Sequence, residues 1–216
     1  MTSASSSSVP IRRAAVCRSL GLGLGLGFVA VAANAAQVDL TVTGAAGQPL
    51  IDAVALIEPV SGKAAVRPMP DVEIGQAKRR FTSRVSLVTV GTKVNFPNFD
   101  TVRHHVYSFS AAKTFELKLY AGVPNVPVLF DKPGVAVLGC NIHDSMATWI
   151  VVADTPWFAR SDATGRARIA DVPPGAYRLR WWHPALPPGS EPAASSITVG
   201  AAGLQQAMRL NVNEPP

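Results

Sequence analysis

The chain has 216 residues, of which 48% are hydrophobic and 16% are charged, and its formal net charge is +6. Three of the positive charges, Arg12, Arg13 and Arg18, lie in an N-terminal segment with the composition of an export signal, which leaves about +3 for the remaining, roughly 180, residues. So small an excess, with no basic run interleaved with aromatic residues, does not indicate nucleic-acid binding. The remaining length suits one large β domain or two small ones.

Residues 1–35 are predicted to be a cleaved signal peptide. Arg12 and Arg13 precede an apolar stretch, from Ala14 to Ala33, that contains the run G-L-G-L-G-L-G. The tripeptide Ala33–Ala35 is an A-x-A type cleavage site. We therefore expect an exported, periplasmic protein with no membrane span after cleavage.

The remainder of the chain is predicted to be all-β. Helix signals are almost absent, and short segments alternate apolar and polar residues between Gly, Pro, Asn and Asp. So many short strands are typical of β-sandwiches. The predicted strands are Val38–Val42, Ala53–Ile57, Val72–Ile74, Val85–Val90, Lys93–Phe96, Val106–Phe109, Phe115–Leu119, Val126–Phe130, Gly134–Leu138, Trp149–Val152, Ala167–Ile169, Tyr177–Trp182, Ser196–Val199 and Ala207–Val212.

Two separated stretches resemble the halves of one small sandwich. Gly47–Pro59 reads G-Q-P-L-I-D-A-V-A-L-I-E-P, and Asp162–Trp181 reads D-A-T-G-R-A-R-I-A-D-V-P-P-G-A-Y-R-L-R-W. Together they resemble the carboxypeptidase regulatory-like (transthyretin-like) family. The resemblance implies a discontinuous sandwich, residues 36–66 and 155–213, with residues 67–154 inserted in a loop. The alternative is two independent pieces that flank the middle domain.

The middle of the chain carries a set of candidate metal ligands. Cys140 is the only cysteine outside the leader, and an unpaired thiol in an oxidising compartment is a chemical liability that metal binding removes. His143 and Met146 follow it in the run C-N-I-H-D-S-M, and His104 or His105 can add a second imidazole. Two His, one Cys and a weak Met are the ligands of a blue-copper electron-transfer site.

The residues around these ligands resemble the cupredoxins, the plastocyanin and azurin family, over about 85 residues. The matching motifs are Val85–Phe96, the Asn-x-Asp loop Asn98–His104, and F-D-K-P-G-V-A-V-L-G-C-N-I-H-D-S-M, Phe130–Met146. The resemblance implies a Greek-key β-sandwich that holds one copper ion per chain. It further implies the ligands His104, Cys140, His143 and axial Met146, and a one-electron carrier that serves a periplasmic redox protein.

Which of the two adjacent histidines binds the metal is open at this point. Neighbouring residues of a strand point to opposite faces, so only one can face the site. The loop count from Asn98 favours His104, whereas the alternation of His105 with Tyr107 and Phe109 favours His105.

The ligand loop is shorter than that of plastocyanin-like proteins, because only Asp144 and Ser145 separate His143 from Met146. The strength of the axial bond and the type of copper site are therefore open. Two other functions stay open with them: a copper-carrying or storage protein without a redox partner, and a small catalytic copper centre. No nucleophile–base pair is evident, so an enzyme is not expected.

Four apolar residues are predicted to keep the metal site dry: Phe96, Phe109, Ile142 and Trp149.

His183, in the run W-W-H-P, is predicted to be a structural residue of the flanking sandwich and not a metal ligand.

Overall fold

The computed structural model describes residues 35–143, 145–187, 189–190 and 192–213. Residues 1–34 of the predicted signal peptide lie outside this range. The described residues form seventeen strands and no helix, which confirms the all-β prediction. Consequently, no helix among them is long and apolar enough to cross a membrane.

The strands agree with the predicted ones in most of the chain. Two short strands that form a hairpin, β4 and β5, and the short strand β13 were not predicted, and the last strand lies earlier than the predicted Ala207–Val212. In chain order the strands are β1 (Ala36–Thr43), β2 (Val54–Pro59), β3 (Val72–Glu73), β4 (Gln76–Ala77), β5 (Arg80–Phe81), β6 (Val85–Thr89), β7 (Thr92–Asn95), β8 (His104–Ser110), β9 (Lys113–Tyr120), β10 (Val128–Phe130), β11 (Gly134–Cys140), β12 (Ala147–Ala153), β13 (Phe158–Arg160), β14 (Arg166–Val172), β15 (Gly175–Trp182), β16 (Ala193–Val199) and β17 (Leu204–Arg209).

Strands from the two ends of the chain form one sandwich, which we call the flank sandwich. One sheet has the order β14-β1-β17 and the other β13-β2-β15-β16. Strand β1 alternates buried and more exposed residues, and its buried residues Val38 and Leu40 share a core with Ile57, Leu179 and Trp181 of the facing sheet. The two ends of the chain therefore build a common core.

Local contacts explain the motifs of the flank sandwich. Asp162 Oδ1 accepts hydrogen bonds from the backbone N–H groups of Thr164 and Arg166. Gly165 has a φ of +73°, and a Cβ there would lie 2.4 Å from the Val42 carbonyl oxygen, so only glycine fits. The Tyr177 hydroxyl donates to the Pro173 carbonyl at 2.8 Å. The D-x-x-G and P-x-G-x-Y patterns therefore specify turns.

The middle of the chain forms a second sandwich, which we call the middle sandwich. Its sheets have the orders β6-β12-β11-β8-β9 and β10-β7-β3. Leu138 and Ile150 of the larger sheet share a core with Val94, Phe96 and Phe130. Strands β8 and β11 are neighbours in the larger sheet, with Cys140 opposite Val106. This pairing brings the predicted cysteine and histidine ligands to the same end of the sandwich.

A third apolar cluster joins the two sandwiches. Strand β2 is buried on both faces, so Val54 and Leu56 point away from the flank core and pack with Val85 and Val151 of the middle sandwich, together with Trp182. Such two-sided burial explains why β2 reads as a continuous apolar run. The described residues belong to one compact unit by their contacts.

The division of the strands among the sheets follows the predicted domain boundaries. Strands β3–β12 pair only with one another, and strands β1, β2 and β13–β17 pair only with one another. Whether residues 36–66 with 155–213 and residues 67–154 are independent folding units stays a prediction.

Candidate metal centre

His104 and Cys140 reach the site from neighbouring strands. His104 is the first residue of β8, and Cys140 is the last residue of β11. Along β8 the residues His104, Val106 and Ser108 are completely buried, which identifies the inward face of the strand. Cys140 pairs with Val106, two residues along β8 from His104, so the strand pairing places the cysteine near the histidine.

Three potential ligand atoms meet at this end of the middle sandwich. One atom each of His104, Cys140 and His143 lie within 4.8 Å of one another. Cys140 Sγ is 3.8 Å from His104 Nδ1, and the two imidazole rings are 5.3 Å apart between centroids. His104 and Cys140 are buried, whereas His143 is partly exposed. The group is therefore compact, and His143 is its member nearest to solvent.

Met146 lies at the end of the loop that carries His143. Its backbone N–H donates to the His143 carbonyl oxygen at 2.9 Å, which closes the loop into a turn. The residue is 2% exposed, and it borders an open surface groove together with Cys140, Tyr107 and Ala147. Met146 is thus a buried neighbour of the cysteine, and its role as axial ligand stays a prediction.

His105 lies on the opposite face of β8. Its Nε2 is 2.9 Å from Glu116 Oε1, although the two groups lack hydrogen-bond geometry, and its ring packs against the Tyr107 ring at an angle of 55°. Phe109 follows Tyr107 on this outer face and is 76% exposed. The alternation that favoured His105 in the sequence is therefore that of the outer face of the sheet. The structure places His104, and not His105, beside Cys140 and His143.

The apolar surroundings of the site differ from those predicted. Phe96 is buried in the core of the middle sandwich. Phe109 lies on the outer face, and Ile142 is 47% exposed, so neither encloses the site. Trp149 is half-buried and its ring faces the Arg84 guanidinium at 5.9 Å. The prediction for Phe109 and Ile142 was wrong because strand alternation and a loop position turn them outward.

Asp100, which the sequence did not single out, holds the other nitrogen of His104. Oδ2 of Asp100 is 2.8 Å from His104 Nε2. The hydrogen bond from His104 lowers the pKa of Asp100; burial opposes this shift, and the backbone amides of Arg79 and Lys78 add to it. Since an ionised carboxylate only accepts hydrogen bonds, we assign the imidazole proton to Nε2, which leaves the Nδ1 lone pair facing Cys140. A carboxylate four residues before the histidine was the available sequence signal.

Asn98 organises the loop between β7 and β8. Its Nδ2 donates to the carbonyl oxygens of Val102 and Tyr120, and its Oδ1 accepts the backbone N–H of Asp100. The Tyr120 hydroxyl donates to the Phe96 carbonyl at 2.7 Å, and burial raises the pKa of Tyr120 to about 12. The loop that presents Asp100 and His104 is therefore tied to the end of β9.

The residues present fit a copper ion. A thiol and two imidazoles offer the soft and intermediate donors that copper prefers in both oxidation states. Nδ1 of His143 is buried and has no hydrogen-bond partner, which is costly unless something binds it. A metal ion would satisfy this nitrogen.

His183 belongs to the flank sandwich and not to this group. Its ring nitrogens contact the Ile51 carbonyl oxygen at 3.0 Å and the backbone N–H of Ala185 at 3.1 Å. It is completely buried, so a structural role agrees with its prediction.

No protein-family model matches the sequence. No curated protein matches it either. The predicted relation of the flanks to the carboxypeptidase regulatory-like family therefore stays a prediction.

Several solved structures are similar to part of the chain. A Cu-containing nitrite reductase from Thermus scotoductus is 28% identical over 44% of this chain, with a TM-score of 0.36, and the match spans only 25% of that enzyme's chain. A purple cupredoxin from Nitrosopumilus maritimus is 20% identical over 38% of this chain and 99% of its own, with a TM-score of 0.33. A reduced Cu(I) form of an amicyanin variant is 20% identical over 45% of this chain and 97% of its own, with a TM-score of 0.35. Cupredoxins are thus among the solved structures that part of this chain resembles, as its motifs predict.

Proposed function

We propose that this protein is a mononuclear copper protein that carries single electrons. The observation that supports the proposal most is the meeting of His104, Cys140 and His143 within 4.8 Å, with the His143 Nδ1 left without a partner. In this proposal these three residues would hold one copper ion, and Met146 would add a weak thioether donor. The bound metal would supply the Cu(II)/Cu(I) couple.

The chain's own contribution is a rigid and largely dry set of donors. His104 and Cys140 are buried and belong to hydrogen-bonded strands, which would restrain their movement when a bound metal changes its oxidation state. Small reorganisation favours fast electron transfer. Of the three residues His143 is the partly exposed one, so a redox partner that docks here would approach the site most closely at His143.

The location and partner belong to the same proposal. The predicted signal peptide supports export to the periplasm, and the predicted partner is a periplasmic redox protein. The absence of a nucleophile–base pair from the sequence supports a carrier and not a hydrolytic enzyme.

Voltammetry and self-exchange measurements on the copper-loaded protein test the proposal. We expect a reversible one-electron couple and rapid self-exchange. Very tight Cu(I) binding with slow exchange would instead identify a copper-carrying or storage protein. Coordination of added azide or nitrite to the metal would reveal an open position, as in a catalytic centre. The His105→Ala variant is the matched control, because it removes a neighbouring imidazole outside the group.

A further inference from the structure

The carboxylate of Asp100 receives hydrogen-bond donors from two separate segments. One is the His104 ring, at 2.8 Å. The others are backbone amides: the N–H of Lys78 donates to Oδ1 at 2.6 Å, and the N–H of Arg79 donates to Oδ2 at 2.9 Å. Main-chain donors therefore fix the plane of this carboxylate.

The turn that provides the two amides has a conformation that its residues disfavour. Lys78 and Arg79 form the two-residue loop between β4 and β5, with φ values of 53° and 56°. A hairpin loop with two left-handed residues normally carries Asn-Gly, because a longer side chain crowds the backbone in this region. The chain keeps Lys-Arg in this conformation, and the two successive amides point to Asp100. Strained backbone of this kind is often found where it supports a site.

The base of the same hairpin is tied to the loop that carries Asp100. The backbone N–H of Gln76 donates to the Pro97 carbonyl oxygen, and the N–H of Phe99 donates to the Gln76 carbonyl oxygen, both at 2.8 Å. Gln76 is completely buried. The donors of the turn and the acceptor on the loop are therefore held in register with each other.

We propose that Asp100 and the β4–β5 turn form a clamp that sets the tautomer and ring orientation of His104 before a metal binds. Asp100 is thus a positioning residue: it keeps the proton on Nε2 and the Nδ1 lone pair directed at Cys140, 3.8 Å away. That the metal is copper rests on the proposed function, whereas the clamp is a property of the metal-free chain. His143 differs from His104 because its Nδ1 has no partner.

The Asp100→Asn substitution probes the clamp with little change in shape. The amide of asparagine has one acceptor atom, so it cannot accept from both turn amides and from His104 at once. If its Oδ1 stays with the Lys78 amide, its Nδ2 takes the place of Asp100 Oδ2, loses the Arg79 amide and donates to His104 Nε2, which places the imidazole proton on Nδ1. This tautomer turns a proton toward the cysteine and competes with metal binding.

Nitrogen-15 NMR of the metal-free protein, at a pH where the rings are neutral, reads the tautomer directly. We expect wild-type His104 to be the Nε2–H tautomer, and Asp100→Asn to shift it toward Nδ1–H while the His105 signals stay unchanged. Asp71→Asn is the matched control, since Asp71 is an exposed aspartate whose φ of 49° asparagine tolerates. A wild-type His104 that is Nδ1–H or an even mixture would overturn the clamp, even if Asp100→Asn does not fold.

Copper titration and voltammetry supply the second readout. Loss of an outer partner of a ligating histidine typically weakens metal binding by roughly 10- to 100-fold, and we expect this for Asp100→Asn with a shifted reduction potential. Unchanged tautomer, affinity and potential in a folded Asp100→Asn protein would contradict the clamp but not copper binding. A wild-type protein that binds no copper would contradict the proposed function, and the NMR result would still decide the clamp.

Discussion

His104 and His105 are adjacent in the chain but lie in different surroundings. His104 is completely buried between Asp100 and Cys140. His105 is on the outer face of β8 beside the exposed Glu116. Strand alternation alone predicts that the two rings diverge, but it does not predict which of them faces inward. The contact of His104 with Asp100 spans four residues, and the spacing of the carboxylate before the histidine is its only local sequence signal.

Alanine substitutions at these two positions should therefore have unequal effects. We expect His104→Ala to weaken Cu(II) binding by more than the roughly 100-fold that loss of an outer partner can cost, because it removes a ligand itself. His105→Ala should change the affinity little. Copper titrations of the two variants decide between them, and the reverse order of affinities would transfer the ligand role to His105.

Substitution of Met146 by leucine tests the axial ligand. Met146 is 2% exposed, and a swap of similar volume costs less than about 1.5 kcal/mol of stability, so the variant should fold. A thioether stabilises Cu(II) weakly, and leucine removes this donation from a dry pocket, so we expect a higher reduction potential. Voltammetry of the two proteins measures the shift. An unchanged potential would show that Met146 is not a ligand.

At the scale of single elements, the β4–β5 hairpin is the main feature that sequence patterns missed. Its strands have two residues each, and its turn, Lys78-Arg79, lacks the Asn and Gly that mark such turns. The longer strands were predictable because their alternation follows from one-sided burial, as in β1. The hairpin is specified by its contacts with the loop at Pro97–Phe99, and such tertiary contacts are not visible locally.

Replacing the turn residues by Asn-Gly should stabilise the protein. The left-handed region costs an ordinary residue about 1–2 kcal/mol, and the entropy of glycine in the unfolded chain offsets about 0.5–1 kcal/mol of the gain. The double variant Lys78→Asn with Arg79→Gly should therefore gain about 1 kcal/mol, which raises Tm by roughly 2–4 °C. Thermal denaturation measures this difference. A lower Tm would show that the Lys78 and Arg79 side chains contribute contacts that outweigh the strain.

At the scale of the whole molecule, the two sandwiches share apolar surface. The flank sheet contributes Val54, Leu56 and Trp182, and the middle sandwich contributes Val85 and Val151. Arg84 and Arg160 both lie near the Asp52 carboxylate, at 3.7 Å and 3.4 Å. The half-motifs of the sequence predicted that the ends of the chain would meet. They did not predict this shared face, because an apolar run such as the one that contains Val54 and Leu56 is also expected for a strand buried within one sandwich.

Joining the flanks without the middle sandwich tests whether they form one folding unit. Thr155 Oγ1 donates to the Ile57 carbonyl oxygen at 2.5 Å, and Gly62 follows Ile57 by five residues, so a Gly/Ser linker from Gly62 to Thr155 has at most about 20 Å to span. We expect the linked flanks to unfold cooperatively, but less stably than the full chain because Val54, Leu56 and Trp182 become exposed. Circular dichroism during urea titration monitors the transition. A disordered product would favour two independent pieces that need the middle sandwich.

The visible spectrum of the protein loaded with Cu(II), compared between wild type and Cys140→Ser, tests the copper site most directly. Cys140 is the only free cysteine of the described residues and lies in the group with His104 and His143. Charge transfer from a bound thiolate to Cu(II) gives an intense visible band, and a serine hydroxyl gives none. We predict one copper ion per chain and a strong band that Cys140→Ser abolishes. A wild-type protein that stays colourless with Cu(II) bound, or a serine variant that keeps the band, would contradict the assignment of Cys140 as a ligand.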